Sequence, residues 1–284
     1  MASEYYYLAA GLPDITLDKG KEAVDFPALV DDCAALVSPA DSQLFPFIRY
    51  PYDHNNLLAL LKSESDFTFD RRGNFNREQL EKQLKGIGEL PDYMQLFIRA
   101  YQEKRPINSD LSWEDQLFEL FFNEVLSLDN HFITEYYRFE LDLRNVLAAI
   151  NSRDIINKDG AAKKPLSAYL LGGESFKEQI LRSGAPDFGL GPFLPWVEKI
   201  IALSKDNLEE YEKALDELRL SVIDDLAGGS IFGIEIVLAT CLRAAIAQRW
   251  QNLDKESGEK TFKALLAAAR GQFDIAAAIH AGTR

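Results

Sequence analysis

The strongest constraint on this chain is a period. From Leu208 onward, apolar residues recur at Leu208, Tyr211, Leu215, Leu218, Val222 and Leu226. Steps of three or four mark one buried stripe along an α-helix. Glu210, Lys213 and Glu217 fill the opposite face. Asp206 with Glu209 three residues later has the form of a capping box, and Gly228-Gly229 supplies the stop. The same period runs through Trp113, Leu117, Leu120, Phe121, Val125 and Leu128, inside a span from Ser112 to Arg153 that holds neither proline nor glycine. Unbroken, such a helix of roughly 40 residues would reach about 60 Å. Asp129-Asn130-His131 is the place where it would break. Ile231 to Asn252 repeats the pattern with Ile234, Leu238, Cys241 and Ala245, and Thr261 to Ile279 is alanine-rich and helical around Gly271.

Punctuation separates these segments. Ser38 to Pro51 holds Pro39, Pro46 and Pro51 and reads as a loop, as do Lys104 to Asp110 and Ser183 to Pro195. A boundary between Asp154 and Pro195 divides the chain into an N-terminal part, 1–155, and a C-terminal part, 156–284. Strand signals are confined to Leu44 to Tyr50 and to Tyr5 to Ala10, and the latter can start a helix equally well. The fold class expected is all-α, with elongated helical bundles arranged as repeated lobes.

Charge and motif content narrow the function. With 45 acidic and 31 basic residues, the net charge of −14 disfavours nucleic acid and anionic lipid, both of which need a cationic surface. Cys33 and Cys241 are too few for a disulfide framework, so a reducing, cytoplasmic setting is expected. The start, Met-Ala-Ser-Glu, lacks the basic and apolar regions of a signal peptide. Ser230 to Leu242 is too short to span a bilayer and carries Glu235, so any membrane contact is expected to be indirect. There is no P-loop and no G-x-S-x-G elbow, and His54, His131 and His280 lie far apart. Acidic doublets such as Asp224-Asp225 point to different sides of a helix. No catalytic, cofactor-binding or metal-binding residue is expected, and the chain reads as a non-enzyme.

One internal comparison stands out. Asp53-His54-Asn55-Asn56-Leu57-Leu58-Ala59-Leu60-Leu61-Lys62-Ser63 aligns with Asp142-Leu143-Arg144-Asn145-Val146-Leu147-Ala148-Ala149-Ile150-Asn151-Ser152, an offset of 89 (142 − 53). Asp, Asn, Leu, Ala and Ser coincide. Asp and Asn stand one helical turn apart on the same face. Two roles are open to Asp53, Asn56, Asp142 and Asn145: tying a helix to its neighbouring loop, or touching another protein of a complex. Arg144 and Arg153 read as surface ion-pair partners. Tyr5-Tyr6-Tyr7, Tyr136-Tyr137, and Phe193 with Trp196 are the aromatic candidates for an interface, against a core role for the same residues.

The second copy, Phe139-Glu140-Leu141-Asp142-Leu143-Arg144-Asn145-Val146-Leu147 with Arg153 beyond it, resembles the E-x-D-x-x-N-[LIV] helix of the central-stalk rotor adaptors of V-type and A-type ATP synthases (the C-type subunits, d-type in eukaryotes). Ile231 to Arg243 is similar to that family's last-lobe pattern. Tyr5-Tyr6-Tyr7-Leu8-Ala9-Ala10-Gly11-Leu12-Pro13 resembles the start of a bacterial family that accompanies V-type ATPase subunits. Two departures stand beside these matches. Ala247-Gln248-Arg249-Trp250 occupies the place of a Glu-x-x-Asn arrangement, and the chain is shorter than three-lobe members. The resemblance implies a non-catalytic adaptor between the membrane rotor ring and the central shaft, with other ATPase subunits as partners and peripheral attachment to the inner membrane. Together with the internal repeat it marks Asp53, Asn56, Asp142, Asn145 and Arg153 as motif positions, and the enrichment of aromatics in binding hot spots adds Tyr137 and Trp196 as interface candidates. Outside the resemblance, a helical interaction scaffold or a small-molecule binder in a bundle core fits the same composition.

Overall fold

The computed structural model describes residues 4–16, 24–64, 67–86, 89–159, 164–203 and 207–252. Among them the regular structure is entirely helical. The helices are α1 (Tyr6–Gly11), α2 (Phe26–Leu36), α3 (Pro39–Ser42), α4 (Phe45–Leu61), α5 (Arg77–Leu84), α6 (Asp92–Gln102), α7 (Trp113–Val125), α8 (His131–Asp159), α9 (Glu174–Arg182), α10 (Trp196–Ala202), α11 (Leu208–Ala227) and α12 (Ile234–Asn252), with a 3-10 turn at Leu166–Tyr169. The all-α class follows. None of these helices is long and apolar enough to cross a membrane.

The chain forms two compact units. The first comprises residues 1–89 and 219–284, and the second residues 90–218. The boundary expected at 155/156 lies inside the second unit. The loop Ser183 to Pro195, which falls within the span of the expected boundary, is tied down. Phe188 and Leu190 are buried, and the Arg153 side chain binds the backbone at Ser183 and Ala185.

In the first unit α12 packs on α2, α4 and α1, and α4 packs on α5. Its core includes Phe26, Phe45, Leu57, Leu80, Val237 and Leu238. Cys33 and Cys241 are both buried here, and their thiols hydrogen-bond each other. That contact pulls the Cys33 thiol down and, with burial, pushes Cys241 well up. The N-terminal tyrosine run is helical from Tyr6, with Tyr5 as the N-cap residue. Tyr5 donates its hydroxyl to Asp41, and its amide donates to the Phe232 carbonyl at 2.6 Å.

The proline-rich run from Ser38 to Pro51 is mostly helix rather than loop, and Leu44 to Tyr50 is not extended. Ser38 caps α3 through its hydroxyl, and Pro39 and Pro46 occupy first-turn positions where a missing N–H is harmless. Pro51 lies in the interior of α4, which continues past it to Leu61. There it forfeits one backbone hydrogen bond and crowds the carbonyl four residues back.

In the second unit α6 packs on α7, α7 on α8, and α8 on α9 and the 3-10 turn. The long proline-free span is not one helix. α7 stops at Val125, and the Asn130 side chain accepts from the Ile133 amide at 3.0 Å to start α8. An Asn side chain that captures a nearby N–H competes with the helical ladder, which explains a break without proline or glycine. At the start of α11, Asn207 accepts from the Glu210 amide at 3.3 Å. That makes Asn207 a cap, while Asp206, the cap expected from the sequence, lies outside the described residues. α11 ends at Ala227, before Gly228-Gly229. The alanine-rich run Thr261 to Ile279 also lies outside the described residues.

Candidate functional site

The two copies of the repeated motif fall in different units, on α4 and α8. In the first unit Asn56 is buried and clamps the backbone of one residue. Its Nδ2 donates to the Asp70 carbonyl at 2.8 Å, and its Oδ1 accepts from the Asp70 amide at 2.8 Å. In the second unit Asn145 does the same to Leu171, with both bonds at 2.9 Å. A side-chain amide carries both a donor and an acceptor, so it can satisfy the N–H and C=O of one residue together. The residue at the matching position thus performs the matching task in each unit. This is the helix-to-loop role, and it favours duplication over chance similarity.

The match extends further than the aligned eleven residues. Arg49 and Arg138 share the 89-residue offset (138 − 49), and an aromatic residue follows each, Tyr50 and Phe139. The full signature is Arg-aromatic-x-x-Asp-x-x-Asn, with its three polar residues on one helix face. The arginines were legible in the sequence but lie N-terminal to the aligned segment.

The loop of the first unit wraps this face. Asp53, buried, accepts from the Asn74 amide and the Asn74 Nδ2, both at 2.8 Å, and from the Phe75 amide at 3.1 Å. Arg49 donates to the carbonyls of Arg72 at 2.9 Å and Gly73 at 2.6 Å, and pairs with Asp31 at 2.6 Å. Glycine is required at 73, because a Cβ there would overlap the Asp53 carboxylate. The loop then enters α5 through a capping box between Asn76 and Gln79. Burial pushes Asp53 up to about 6, against the lowering effect of its donors and of Arg49. An open groove of about 520 Å³ beside this loop is lined by Arg49, Arg71, Arg77 and residues 73–76.

In the second unit the return path is shorter. From the clamped residue to the N-cap of the next helix is six positions in the first unit (76 − 70) and two in the second (173 − 171). The four positions lost are those that supply Arg72, Gly73, Asn74 and Phe75 in the first unit. Asp142 is half-buried and accepts no hydrogen bond among the described residues. Its carboxyl is pushed up to about 6 by burial, with Arg138 opposing and Glu135 raising it further. Arg138 is exposed and meets Glu135 at 3.2 Å.

The other sequence candidates resolve as follows. Arg144 is not a surface ion-pair partner. It is buried, pairs with buried Asp115, and donates to the Tyr169 carbonyl at 3.0 Å. Asp115 is raised by desolvation, which the Arg144 charge opposes. Arg153 likewise serves the backbone rather than a surface carboxylate. It donates to the carbonyls of Ser183 at 2.7 Å and Ala185 at 2.5 Å, with its guanidinium 3.7 Å from the Phe188 ring centre. Tyr137 is a core residue, edge-on to Phe121 at 5.1 Å, and Tyr136 is buried beside it. Trp196 is half-buried against Phe139. Of the aromatic candidates, Tyr6, Tyr7 and Phe193 are exposed, at 51%, 98% and 80%. Among the described residues no three His, Cys, Asp or Glu side chains converge as metal ligands would.

A family model described as a protein of unknown function, DUF2764, matches residues 1–271. No curated protein matches the chain, and no solved structure does.

Proposed function

The chain belongs to the DUF2764 family, and on that premise we propose that it is a non-catalytic central-stalk adaptor of a bacterial V/A-type ATP synthase. In this role it links the membrane rotor ring to the central shaft and passes torque between them. The observation that carries the reading is the duplicated Asp-x-x-Asn helix, whose two asparagines clamp a backbone in the same way in two helical units. Repetition of a helical unit around an E-x-D-x-x-N helix is what the resemblance to the rotor adaptors implies.

A rotor adaptor needs stiff lobes, because a soft one would store the twist rather than transmit it. The asparagine clamps and the Arg153 bonds to three loop carbonyls stiffen the helix-to-loop joints, and the buried Asp115–Arg144 pair ties α7 to α8. The acidic surface suits basic shaft or ring-loop partners, where charge guides association more than it adds affinity. The protein would reach the membrane only through the ring.

The test is co-purification. A chromosomally tagged copy, extracted with a mild detergent that keeps the ATPase intact, should bring down ring, shaft and head subunits in fixed ratio. Recovery of this chain with none of those subunits, from an extract in which the ATPase is intact, would overturn the assignment. It would favour the scaffold alternative, in which the duplicated units serve an unrelated assembly.

A further inference from the structure

The two units carry the same helix signature, but only one of them fills it. In the first, Arg49 and Asp53 hold the loop 72–75 by its backbone: two carbonyls on the arginine, two consecutive amides on the aspartate. In the second, Asn145 holds Leu171 as Asn56 holds Asp70. The connection then turns straight into α9 through Gly172, whose φ of +81° suits glycine. The four residues that would cover Arg138 and Asp142 are missing from the path. Those two side chains stay on the surface of α8, one exposed and one half-buried. The shorter connection keeps both anchors, and among the described residues no backbone group bonds to Asp142.

We propose that the Arg138–Asp142 face of α8 receives an extended loop from a partner protein. The loop would donate two consecutive backbone amides to Asp142 and present two carbonyls to Arg138, as residues 72–75 do to Asp53 and Arg49. The occupant is defined by chemistry. It is an extended segment whose backbone groups are not spent in a helix or sheet. It carries a glycine where it crosses the aspartate, because the first unit tolerates no Cβ at that point. A charged carboxylate that accepts two aligned amides gains charge-assisted hydrogen bonds that water supplies with less order. This inference stands on the internal comparison and does not depend on the rotor reading.

The probe is a capped, fluorescein-labelled peptide with the sequence of residues 70–76, Asp-Arg-Arg-Gly-Asn-Phe-Asn. It is titrated with the full chain and followed by fluorescence anisotropy. Saturable binding is expected. Asp142→Asn and Arg138→Ala should each weaken it about tenfold. Arg243→Ala, which breaks an exposed pair with Asp224, should leave it unchanged. Circular dichroism confirms that each variant is folded. Absence of saturable binding, or binding that both α8 variants leave intact, overturns the proposal. So does a chain that sediments as a dimer dissolved by Asp142→Asn, since the face would then take a second copy rather than a partner's loop.

Discussion

Replacing Asn145 with alanine removes two hydrogen bonds of 2.9 Å and orphans both polar groups of Leu171. Leu171 is 1% exposed, so water cannot step in. Each buried group left unsatisfied costs about 1–3 kcal/mol, so the pair should cost about 2–6 kcal/mol. Against a typical total of about 5–15 kcal/mol, that is a large fraction. The matching change Asn56→Ala removes the same bonds at Asp70. That residue is half-buried, so water recovers part of the loss and the expected cost is about 1–2 kcal/mol. Urea denaturation followed by circular dichroism measures both. Amide hydrogen exchange localises the effect, with the Leu171 amide losing protection in Asn145→Ala and the Asp70 amide in Asn56→Ala. The clamp account fails if Asn145→Ala costs under about 0.5 kcal/mol, or if Asn56→Ala is the more damaging of the two.

Other outcomes follow from the same contacts. Arg144→Met leaves Asp115 buried without its cation and should cost about 3–5 kcal/mol by thermal melting, whereas the paired change Arg144→Met with Asp115→Leu should recover most of that loss. Asp142 has a folded pKa of about 6, raised from 3.8, so its contribution to stability is present at low pH and is lost as pH rises from about 4 through 6. Asp142→Asn should therefore stabilise the isolated chain at pH 8 by on the order of 1 kcal/mol and do little at pH 4; a loss at both pH values would refute this. Asp53→Asn, by contrast, should destabilise at pH 8, because one of the two oxygens that accept from Asn74 and Phe75 becomes an NH2 donor. Gly73→Ala should lower the melting temperature by opening the 72–75 loop, and proteolysis should then cut there first.

The helices were legible where one apolar stripe met polar residues, as in α11, where Tyr211 and Leu215 of the stripe are buried and the glycine stop holds, although the last turns bury Ile223 and Ala227 rather than Val222 and Leu226. They were misread where a local device outranks composition. Pro39 and Pro46 sit in first turns and Pro51 is carried inside α4, so a proline count could not separate helix from loop between Ser38 and Pro51. The break before α8 turned on one asparagine side chain. At the candidate site, Asp53, Asn56, Asp142 and Asn145 were found by repetition. The partners of Asn56, Asp53 and Asn145 were not, because they are chiefly backbone groups of Asp70, Asn74, Phe75 and Leu171, and a backbone amide carries no residue signature. The arginines illustrate the same limit. Arg144 and Arg153 look like surface charges in sequence, yet they bind carbonyls brought near only by folding.

The most direct test of the adaptor reading is electron cryo-microscopy of the intact V/A-type ATPase purified from cells that make this chain. The account predicts two helical units of this chain seated between the rotor ring and the central shaft. An intact, coupled complex whose ring and shaft are joined with no density for this chain would contradict it.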